Sequence, residues 1–248
     1  MLRNSLCARV LFASCTLMAL GACVLQKPQN EKIATAQLEI SSSGFSPAIW
    51  QPMHLPGKRK TLFKSTVHQN RPAVQAVADS SVSMLRQRLR LEAKALGMLQ
   101  FSWQSPQLIP TANMGERETE DSVVRIVLSF DGDRGKFSAK NKMLSELSLA
   151  LTGEELPYAT LMYVWCNETA VGEVITNPRT DRIRKLVVES GAKNLGKWLD
   201  YERDIRADFI KAFGEEPGAL TGIAFMTDTD NTQSKATAWY GPVSLKAK

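Results

Sequence analysis

The segment MTDTDNTQSKATAWYG, residues 226–241, places carboxylate, amide and hydroxyl side chains just before an aromatic pair. Asp228, Asp230 and Thr232 alternate as the first ligands of an EF-hand calcium loop do. That loop needs glycine where Gln233 stands and a bidentate glutamate where Trp239 stands, so an EF-hand is excluded. Aspartate and asparagine bond to nearby backbone and support turns, so we predict a structural loop between the last two strands. A calcium site of another type and the rim of a ligand site remain alternatives.

Several other patterns resemble functional motifs without the residues that their chemistry requires. The segment GAKNLGKW, residues 191–198, matches a phosphate-binding loop until Trp198 replaces the magnesium-binding hydroxyl. His54 and His68 show no zinc-ligand spacing and are expected in solvent, and no Gly-x-Ser-x-Gly segment offers a serine nucleophile. We interpret the following as solvated surface, with an anion-binding stripe as the alternative for the arginines: Glu118 with Asp121, Glu154 with Glu155, Glu215 with Glu216, and Arg86, Arg88 and Arg90.

Aromatic and polar side chains on the expected strands are the candidates for ligand binding. Aromatic rings offer flat apolar faces that could stack on sugar rings, and carboxylates, amides and guanidinium groups bond to hydroxyls. The candidate residues are Trp103, Trp165, Trp239 and Tyr240 for stacking, and Asp121, Arg125, Asp228, Asp230 and Asn231 for hydrogen bonding. Core packing is the alternative for each aromatic ring. We identify no catalytic residues and expect no cofactor, and the sequence does not define a metal site.

The first 22 residues have the features of a secretion signal. Arg3 and Arg9 accompany an apolar run over residues 10–20, which is too short to span a bilayer. The following segment, which ends at Cys23, resembles the lipobox of bacterial lipoproteins, where the cysteine is acylated and the signal is removed. We therefore predict a lipid on Cys23, with an ordinary cleaved signal peptide as the alternative. Val24 then favours the outer membrane, with the protein facing the periplasm.

The remaining chain is predicted to comprise a flexible tether, residues 23–48, and one domain, residues 49–248. The tether is polar and contains few large apolar residues. Cys166 is the cysteine left free in the mature domain, so we expect no disulfide framework. The precursor has a formal net charge of +6 but no dense block of lysine and arginine, which argues against a nucleic-acid partner.

Alternation of apolar and polar residues predicts nine strands. They span residues 61–67, 74–78, 85–91, 98–103, 123–130, 159–166, 183–188, 222–226 and 236–245. In the fifth, Val124, Ile126, Leu128 and Phe130 should face a core, while Arg125 points away. Because no regular series of helices separates the strands, we predict an all-β antiparallel sandwich.

Two helices are expected to interrupt the strands and to pack against the sandwich. Ser138 should cap the first, which ends before Gly153. Its apolar stripe is Met143, Leu144, Leu147 and Leu151. Asp204 should cap the second, in which Ile205, Phe209 and Phe213 share one face before Gly214 ends the helix.

Segments over residues 61–245 resemble the bacterial domain-of-unknown-function family 3047. The similarity is carried by SSVSMLRQRLRL, FSW, EDSVVRIVLSF, PYATLMYVW, NPRTDRIRKLVVESG, WLDYERDIRADFIKAFGEEP and GIAFMTDTDNTQSKATAWYGPVSL, in that order. The chain departs from the family where Phe101, Ser102, Trp103 and Gln104 replace a Trp-x-Trp-Lys run, and where Glu120 and Asp121 replace paired aspartates. The resemblance implies a jelly-roll sandwich of the galactose-binding type and supplies no reaction.

The combined expectation is a membrane-anchored lipoprotein whose sandwich binds a glycan or a similar polar ligand without catalysis. One alternative is a hydrolase of an envelope polymer, which would need two carboxylates about 5 to 10 Å apart in one cleft. The other is an envelope scaffold protein, which would expose a large apolar patch. The expected partners are the membrane, through the lipid on Cys23, and a glycan or envelope polymer.

Overall fold

The computed structural model describes residues 38–39 and 49–246. The predicted signal peptide, Cys23 and the predicted tether, apart from residues 38–39, lie outside the described residues. The elements are β1 Leu38–Glu39, β2 Gln51–His54, β3 Leu62–His68, β4 Arg71–Asp79, β5 Ser83–Leu91, β6 Met98–Gln104, β7 Ser122–Phe130, α1 Ala139–Thr152, β8 Ala159–Cys166, β9 Val174–Thr176, β10 Ile183–Ser190, β11 Leu199–Asp204, α2 Ile205–Phe213, β12 Leu220–Asp228, β13 Lys235–Tyr240 and β14 Ser244–Lys246.

The strands form two seven-stranded sheets. Sheet 1 has the order β1-β14-β6-β13-β4-β3, and β11 also pairs with β6. Sheet 2 has the order β2-β5-β12-β7-β8-β10-β9. Strands β8 and β10 are parallel, and the other described pairs are antiparallel. The all-β sandwich with two helices, predicted from the alternating pattern, is therefore confirmed.

Side chains of β7 show how the sequence divides between the two faces of sheet 2. Val124, Ile126, Leu128 and Phe130 are fully buried in the main core, as the period of two predicts. Arg125 lies on the opposite face, where Val127 and residues of other strands form a second apolar cluster. Sheet 2 is thus covered with apolar side chains on both faces, and its outer face supplies the floor of a groove.

Within the described residues, four short strands are missing from the sequence prediction, and one predicted strand is divided. Strands β1, β2, β9 and β11 have few alternating apolar residues to reveal them. The run predicted over residues 236–245 breaks into β13 and β14. The break occurs at Gly241, whose N–H donates to the Ser102 carbonyl and where a Cβ would lie 2.0 Å from Ser102 Oγ. A larger residue there would require the Ser102 side chain on β6 to move.

Helix α1 begins and ends as predicted but presents the opposite face to the protein. The Ser138 hydroxyl accepts from Asn141 N at 3.2 Å, and Gly153 adopts a left-handed conformation with φ of 74°. The predicted packing stripe is wrong: Met143, Leu147 and Leu151 are solvent-exposed, while Asn141 is buried beneath the helix. The apolar pattern identifies the stripe correctly, but the stripe faces solvent instead of the protein core.

Helix α2 packs as the sequence predicts. Asp204 accepts a hydrogen bond from Ala207 N at 3.0 Å, and Gly214 ends the helix with φ of 71°. Ile205 and Phe209 are fully buried in the main core, and Phe213 packs against it partly buried. Neither helix is long and apolar enough to cross a membrane.

The loop between β12 and β13 joins consecutive strands, as predicted, but these strands belong to different sheets. Strand β12 lies in sheet 2 between β5 and β7, whereas β13 lies in sheet 1 between β4 and β6. Residues 229–234 therefore cross from one sheet to the other at the edge of the sandwich. Period-two alternation identifies both strands but cannot distinguish a hairpin from such a crossing.

Candidate ligand-binding groove

A groove of about 760 Å³ lies on the outer face of sheet 2. Its floor is apolar and includes Met84, Val127, Met162, Ala224 and Met226. The central strands β7 and β12 have nine residues each, which corresponds to roughly 26 to 30 Å at about 3.3 Å per residue. The lining residues extend from Asp228 to Asp131, near opposite ends of these strands. The groove thus suits an elongated ligand.

An ion pair closes one end of the groove. Arg125 donates to both oxygens of the Asp228 carboxylate, from Nε to Oδ1 at 3.1 Å and from Nη2 to Oδ2 at 2.8 Å. Its Nη2 also donates to the Glu120 carbonyl at 3.0 Å. Arg125 and Asp228 are both buried, and the Ser122 N–H also bonds to Asp228 Oδ1 at 3.0 Å. The arrangement fixes the end of β12 against the start of β7.

The buried carboxylate of Glu120 is the centre of the same network. It accepts from Lys185 Nζ, Asn177 Nδ2 and Arg179 Nη1, each at 2.7 Å, and Arg125 Nη1 lies 3.6 Å away. Lys185 is fully buried and also donates to the Met114 carbonyl at 2.7 Å. Glu120 therefore joins β7, β10 and the segment before β10 at one side of the groove.

Burial shifts two ionisation equilibria in this network. Removal from water, reinforced by the charges of Asp121 and Glu120, raises the pKa of Asp228 to about 7 although Arg125 opposes the shift. Removal from water and repulsion from Arg125 lower the pKa of Lys185 to about 8. Both shifts disfavour the charged side chain, so the network carries a cost that its hydrogen bonds must offset.

Asp121 organises the loop that was considered as a calcium site. Its Oδ2 accepts from Thr232 N at 2.7 Å and from Thr232 Oγ1 at 2.6 Å, and its Oδ1 accepts from Asn231 Nδ2 at 3.1 Å. Oxygens of Asp121, Asp228 and Asp230 lie within 4.8 Å of one another, close enough to share a cation. Each of the three carboxylates already has donors, however. Arg125 donates to Asp228, and Asp230 pairs with Lys58 Nζ at 2.5 Å. The contacts support a structural role for the loop.

The opposite rim of the groove carries a second cluster of charges. Arg86 donates to Glu154 from Nη1 at 2.8 Å and from Nη2 at 3.1 Å, and Arg88 also pairs with Glu154. The bond from Arg86 lowers the pKa of Glu154 despite partial burial. Of the side chains predicted as solvated surface, Arg88 is exposed, whereas Arg86 and Glu154 are partly buried because α1 and the turn after it bring Glu154 onto β5.

The charges that line the groove balance. Six are cationic and six are anionic, so their formal sum is zero: Lys58, Arg86, Arg88, Arg125, Arg134 and Arg179 against Glu120, Asp131, Glu154, Glu155, Asp228 and Asp230. Most of these cationic and anionic side chains form ion pairs with one another. The groove therefore combines an apolar floor with hydrogen-bond donors and acceptors and without an excess of either charge.

A protein-family model described as "Protein of unknown function (DUF3047)" matches residues 48–244. The chain belongs to this family. Among curated proteins, no sequence matches significantly. The family membership predicted from the quoted segments is confirmed, and the groove, the Glu120 network and both helices all lie inside the matched region.

Three solved structures show distant similarity to this member of the family. The xyloglucanase domain of NopAA, a type three effector from Sinorhizobium fredii solved with cellobiose, is 10% identical with a TM-score of 0.44, over 84% of this chain and 98% of that chain. Cellulose induced protein, Cip1, is 8% identical with a TM-score of 0.36, over 82% and 93%. The glycoside hydrolase domain of Endo-D from Streptococcus pneumoniae R6 is 8% identical with a TM-score of 0.32, over 79% and 21%.

The structure brings together the polar candidates and separates the aromatic ones. Of the polar set, Arg125, Asp228, Asp230 and Asn231 line the groove, and Asp121 holds the loop beside it. The predicted stacking role does not fit three rings, because Trp103, Trp165 and Tyr240 are buried in the main core between the sheets.

The remaining aromatic candidate, Trp239, lies in sheet 1, away from the groove. His68 stacks on its ring with 3.8 Å between the ring centroids. His68, expected in solvent, is therefore partly buried. The groove thus has no fully exposed aromatic platform among its described lining residues.

Sequence reasoning missed Glu120 and Glu154 as parts of the groove and Lys185 as part of the network beside it. The position of Lys185 was a usable signal, because it stands directly before three apolar residues of β10 that are buried. A lysine inside such a strand must find a partner or lose its charge. Its partner Glu120 is 65 positions earlier in the chain, and no local pattern connects them.

Proposed function

We propose that this protein is a lipid-anchored envelope protein that binds an uncharged glycan chain in the groove of sheet 2. The observation that carries the proposal is the groove itself, which is elongated, has an apolar floor and is lined by equal numbers of cationic and anionic side chains. Sugars present C–H faces together with hydroxyls that both donate and accept. A groove of this composition satisfies both properties without requiring a charged ligand.

The floor and the rims have different parts in this binding. Met84, Met162 and Met226 are flexible apolar side chains that adapt to the uneven surface of a sugar ring. On the rim, the pair of Arg86 with Glu154 offers guanidinium donors beside carboxylate acceptors. These two groups are already paired with each other. A ligand hydroxyl therefore replaces water molecules bonded to them without leaving a charge uncompensated.

Binding fits the contacts better than hydrolysis does. A glycosidase of the common type needs one carboxylic acid to protonate the leaving group and a second carboxylate as nucleophile or base. In this groove Asp228 is held by Arg125, Glu120 by several donors and Glu154 by two arginines. Every oxygen of these three carboxylates already accepts a bond from a protein donor, so none is free to contact a leaving group or a water, and we propose a non-enzymatic role.

The proposed anchor is a lipid on Cys23 that holds the domain at the periplasmic face of the outer membrane. The support is the lipobox-like segment and the short apolar run before it. Incorporation of radiolabelled palmitate is expected in the wild-type protein and absent in Cys23→Ser. Equal labelling of the two proteins would contradict the anchor and would leave the groove proposal standing.

The groove proposal is tested by filling it. Gly222 lies in the floor, and a Cβ there would have its nearest neighbour, Gln87 O, at 3.5 Å, so a larger residue enters the groove without a backbone clash. By calorimetry against panels of neutral and uronate-containing oligosaccharides, wild type should bind a neutral chain and Gly222→Leu should bind it at least tenfold more weakly.

Ser65→Leu, an exposed substitution in sheet 1, is the matched control and should bind as wild type does. Unchanged affinity of Gly222→Leu would place the ligand elsewhere on the protein. Binding confined to the uronate-containing chains would contradict the uncharged ligand class while leaving the groove as the site.

A further inference from the structure

Helix α1 presents a row of apolar side chains to solvent. Met143, Leu147 and Leu151 recur every four residues and are 59%, 50% and 60% exposed. Leu144 extends the same row and is partly buried. A surface helix of a soluble domain normally turns such a stripe toward the core. An exposed apolar row of this kind is typical of surfaces that contact an apolar partner.

Polar contacts hold the helix in this orientation. Asn141 donates to Asp181 Oδ1 at 2.7 Å and accepts from Thr180 Oγ1 at 2.8 Å. One turn later Ser145 accepts from Arg134 Nη1 at 2.9 Å. Burying the apolar row against the protein would require the helix to rotate and break these bonds. The orientation is thus built into the sequence of the buried side.

The geometry of the helix separates the two sides clearly. With 3.6 residues per turn, the row of Met143, Leu147 and Leu151 is centred roughly 140° from Asn141 and Ser145. Lys140 is exposed on the apolar side, whereas Lys142 and Glu146 lie roughly 140° and 100° from the centre of the row. An apolar row with a lysine beside it is found in helices that lie in the interface of a membrane with anionic lipids.

We infer that the apolar row of α1 docks on the surface of the anionic bilayer to which the protein is anchored. This inference rests on the proposed lipid at Cys23, which is separated from Leu38 of β1 by 14 residues. A chain of that length reaches at most about 50 Å, so the domain stays close to the bilayer at all times. Met143, Leu147 and Leu151 enter the interface, while Lys140 reaches the headgroups.

The inference is tested by thiol labelling of the acylated protein in vesicles that contain anionic lipid. Cys166 is buried, so a cysteine introduced at Leu147 or at Leu62 provides an accessible thiol in the described domain. Leu62 is 68% exposed on β3 of sheet 1 and serves as the matched control. A protease site inserted within residues 24–37, before β1, allows the domain to be released. Reaction of Leu147→Cys with a water-soluble maleimide should be at least tenfold slower before release than after, while Leu62→Cys should react equally.

Each other outcome overturns a distinct statement. Equal rates for Leu147→Cys before and after release, in a chain that incorporates palmitate, overturn the docking and leave the anchor intact. A chain that incorporates no palmitate overturns the anchor and the docking together. Protection that persists after release and grows with protein concentration assigns the row to a second copy of the chain and also overturns docking on the bilayer.

Discussion

Arg125 and Asp228 form a bidentate ion pair that is buried at the end of the groove, with contacts of 3.1 Å and 2.8 Å. They are 103 positions apart in the sequence and lie on the neighbouring strands β7 and β12. Because neither side chain reaches water, each depends on the other for compensation of its charge. The pair therefore couples the stability of the sandwich to the shape of the candidate site.

The first prediction concerns loss of one partner of this pair. Asp228→Ala leaves the buried guanidinium of Arg125 without its main counter-charge and should lower the free energy of unfolding by about 3 to 5 kcal/mol. Urea denaturation measures this change. Asp200→Ala is the control, because Asp200 pairs with Arg71 at 2.8 Å on the exposed surface and should cost less than about 1 kcal/mol. Equal losses in the two variants would show that the buried pair is not important for stability.

The second prediction is a rise in stability with pH that originates at Lys185. The pKa of this lysine is about 8 in the folded protein against 10.5 for an ordinary lysine. Between these values the unfolded chain binds more protons, so the free energy of unfolding increases as pH rises from 8 to 10.5. At about 1.4 kcal/mol per pKa unit the increase is about 3 kcal/mol. Below pH 8 both states hold the proton and this dependence disappears.

Comparison with Lys185→Met isolates this effect, since other groups also titrate at high pH. The variant should lack the additional rise, whereas Lys142→Met, an exposed substitution, should retain it. Glu120 keeps Asn177 and Arg179 as donors in the Lys185→Met protein, so the network should persist. Parallel pH profiles of wild type and Lys185→Met in urea denaturation would contradict the assignment.

Much of the fold was accessible from the sequence because it depends on local alternation. Val124, Ile126 and Leu128 identify β7 and its core face by themselves. The pairing of strands is not local, and for this reason alternation could not show that the chain crosses from one sheet to the other between β12 and β13. Helix α1 shows a related difficulty. The apolar row at Met143 and Leu147 is visible in the sequence, but the sequence does not show that this row faces solvent.

Only part of the candidate site could be predicted from the sequence, because its residues meet through the pairing of distant strands. Arg125 was noticeable as a charge within an apolar strand, and Asp228 as an acid at the end of another. That they meet depends on β7 and β12 being neighbours. Glu120 and Lys185 depend on the order β7-β8-β10, which includes a parallel pair that alternation cannot predict. Tryptophans were misleading because Trp103 fills a core position as readily as a binding surface.

The third prediction distinguishes two phenylalanines of α2. Phe209 is fully buried and packs on Phe130 at 4.7 Å between ring centroids, so Phe209→Ala should cost about 3 to 5 kcal/mol. Phe213 is partly exposed, and Phe213→Ala should cost clearly less, about 1 to 2 kcal/mol. Midpoints of urea unfolding compare them directly. A Phe209→Ala midpoint no lower than that of Phe213→Ala would show that α2 is peripheral to the core.

The last prediction concerns Asp121, Asp230 and calcium. Asp121 is fully buried and accepts bonds from Asn231 and Thr232, so Asp121→Ala leaves backbone N–H groups of the loop without partners. Loss of these contacts should lower the free energy of unfolding by about 3 kcal/mol. Asp230 bonds instead to the exposed Lys58, and Asp230→Ala should cost about 1 kcal/mol or less.

Since the loop is stabilised by these internal bonds, millimolar calcium should leave the melting temperature of the wild-type protein unchanged. A ligand that binds only the folded state adds about 2.7 kcal/mol at a hundredfold excess over its Kd, which melting curves with calcium and with chelator would detect. A rise in melting temperature with calcium that disappears in Asp230→Ala would identify the three carboxylates as a metal site and contradict a structural role for the loop.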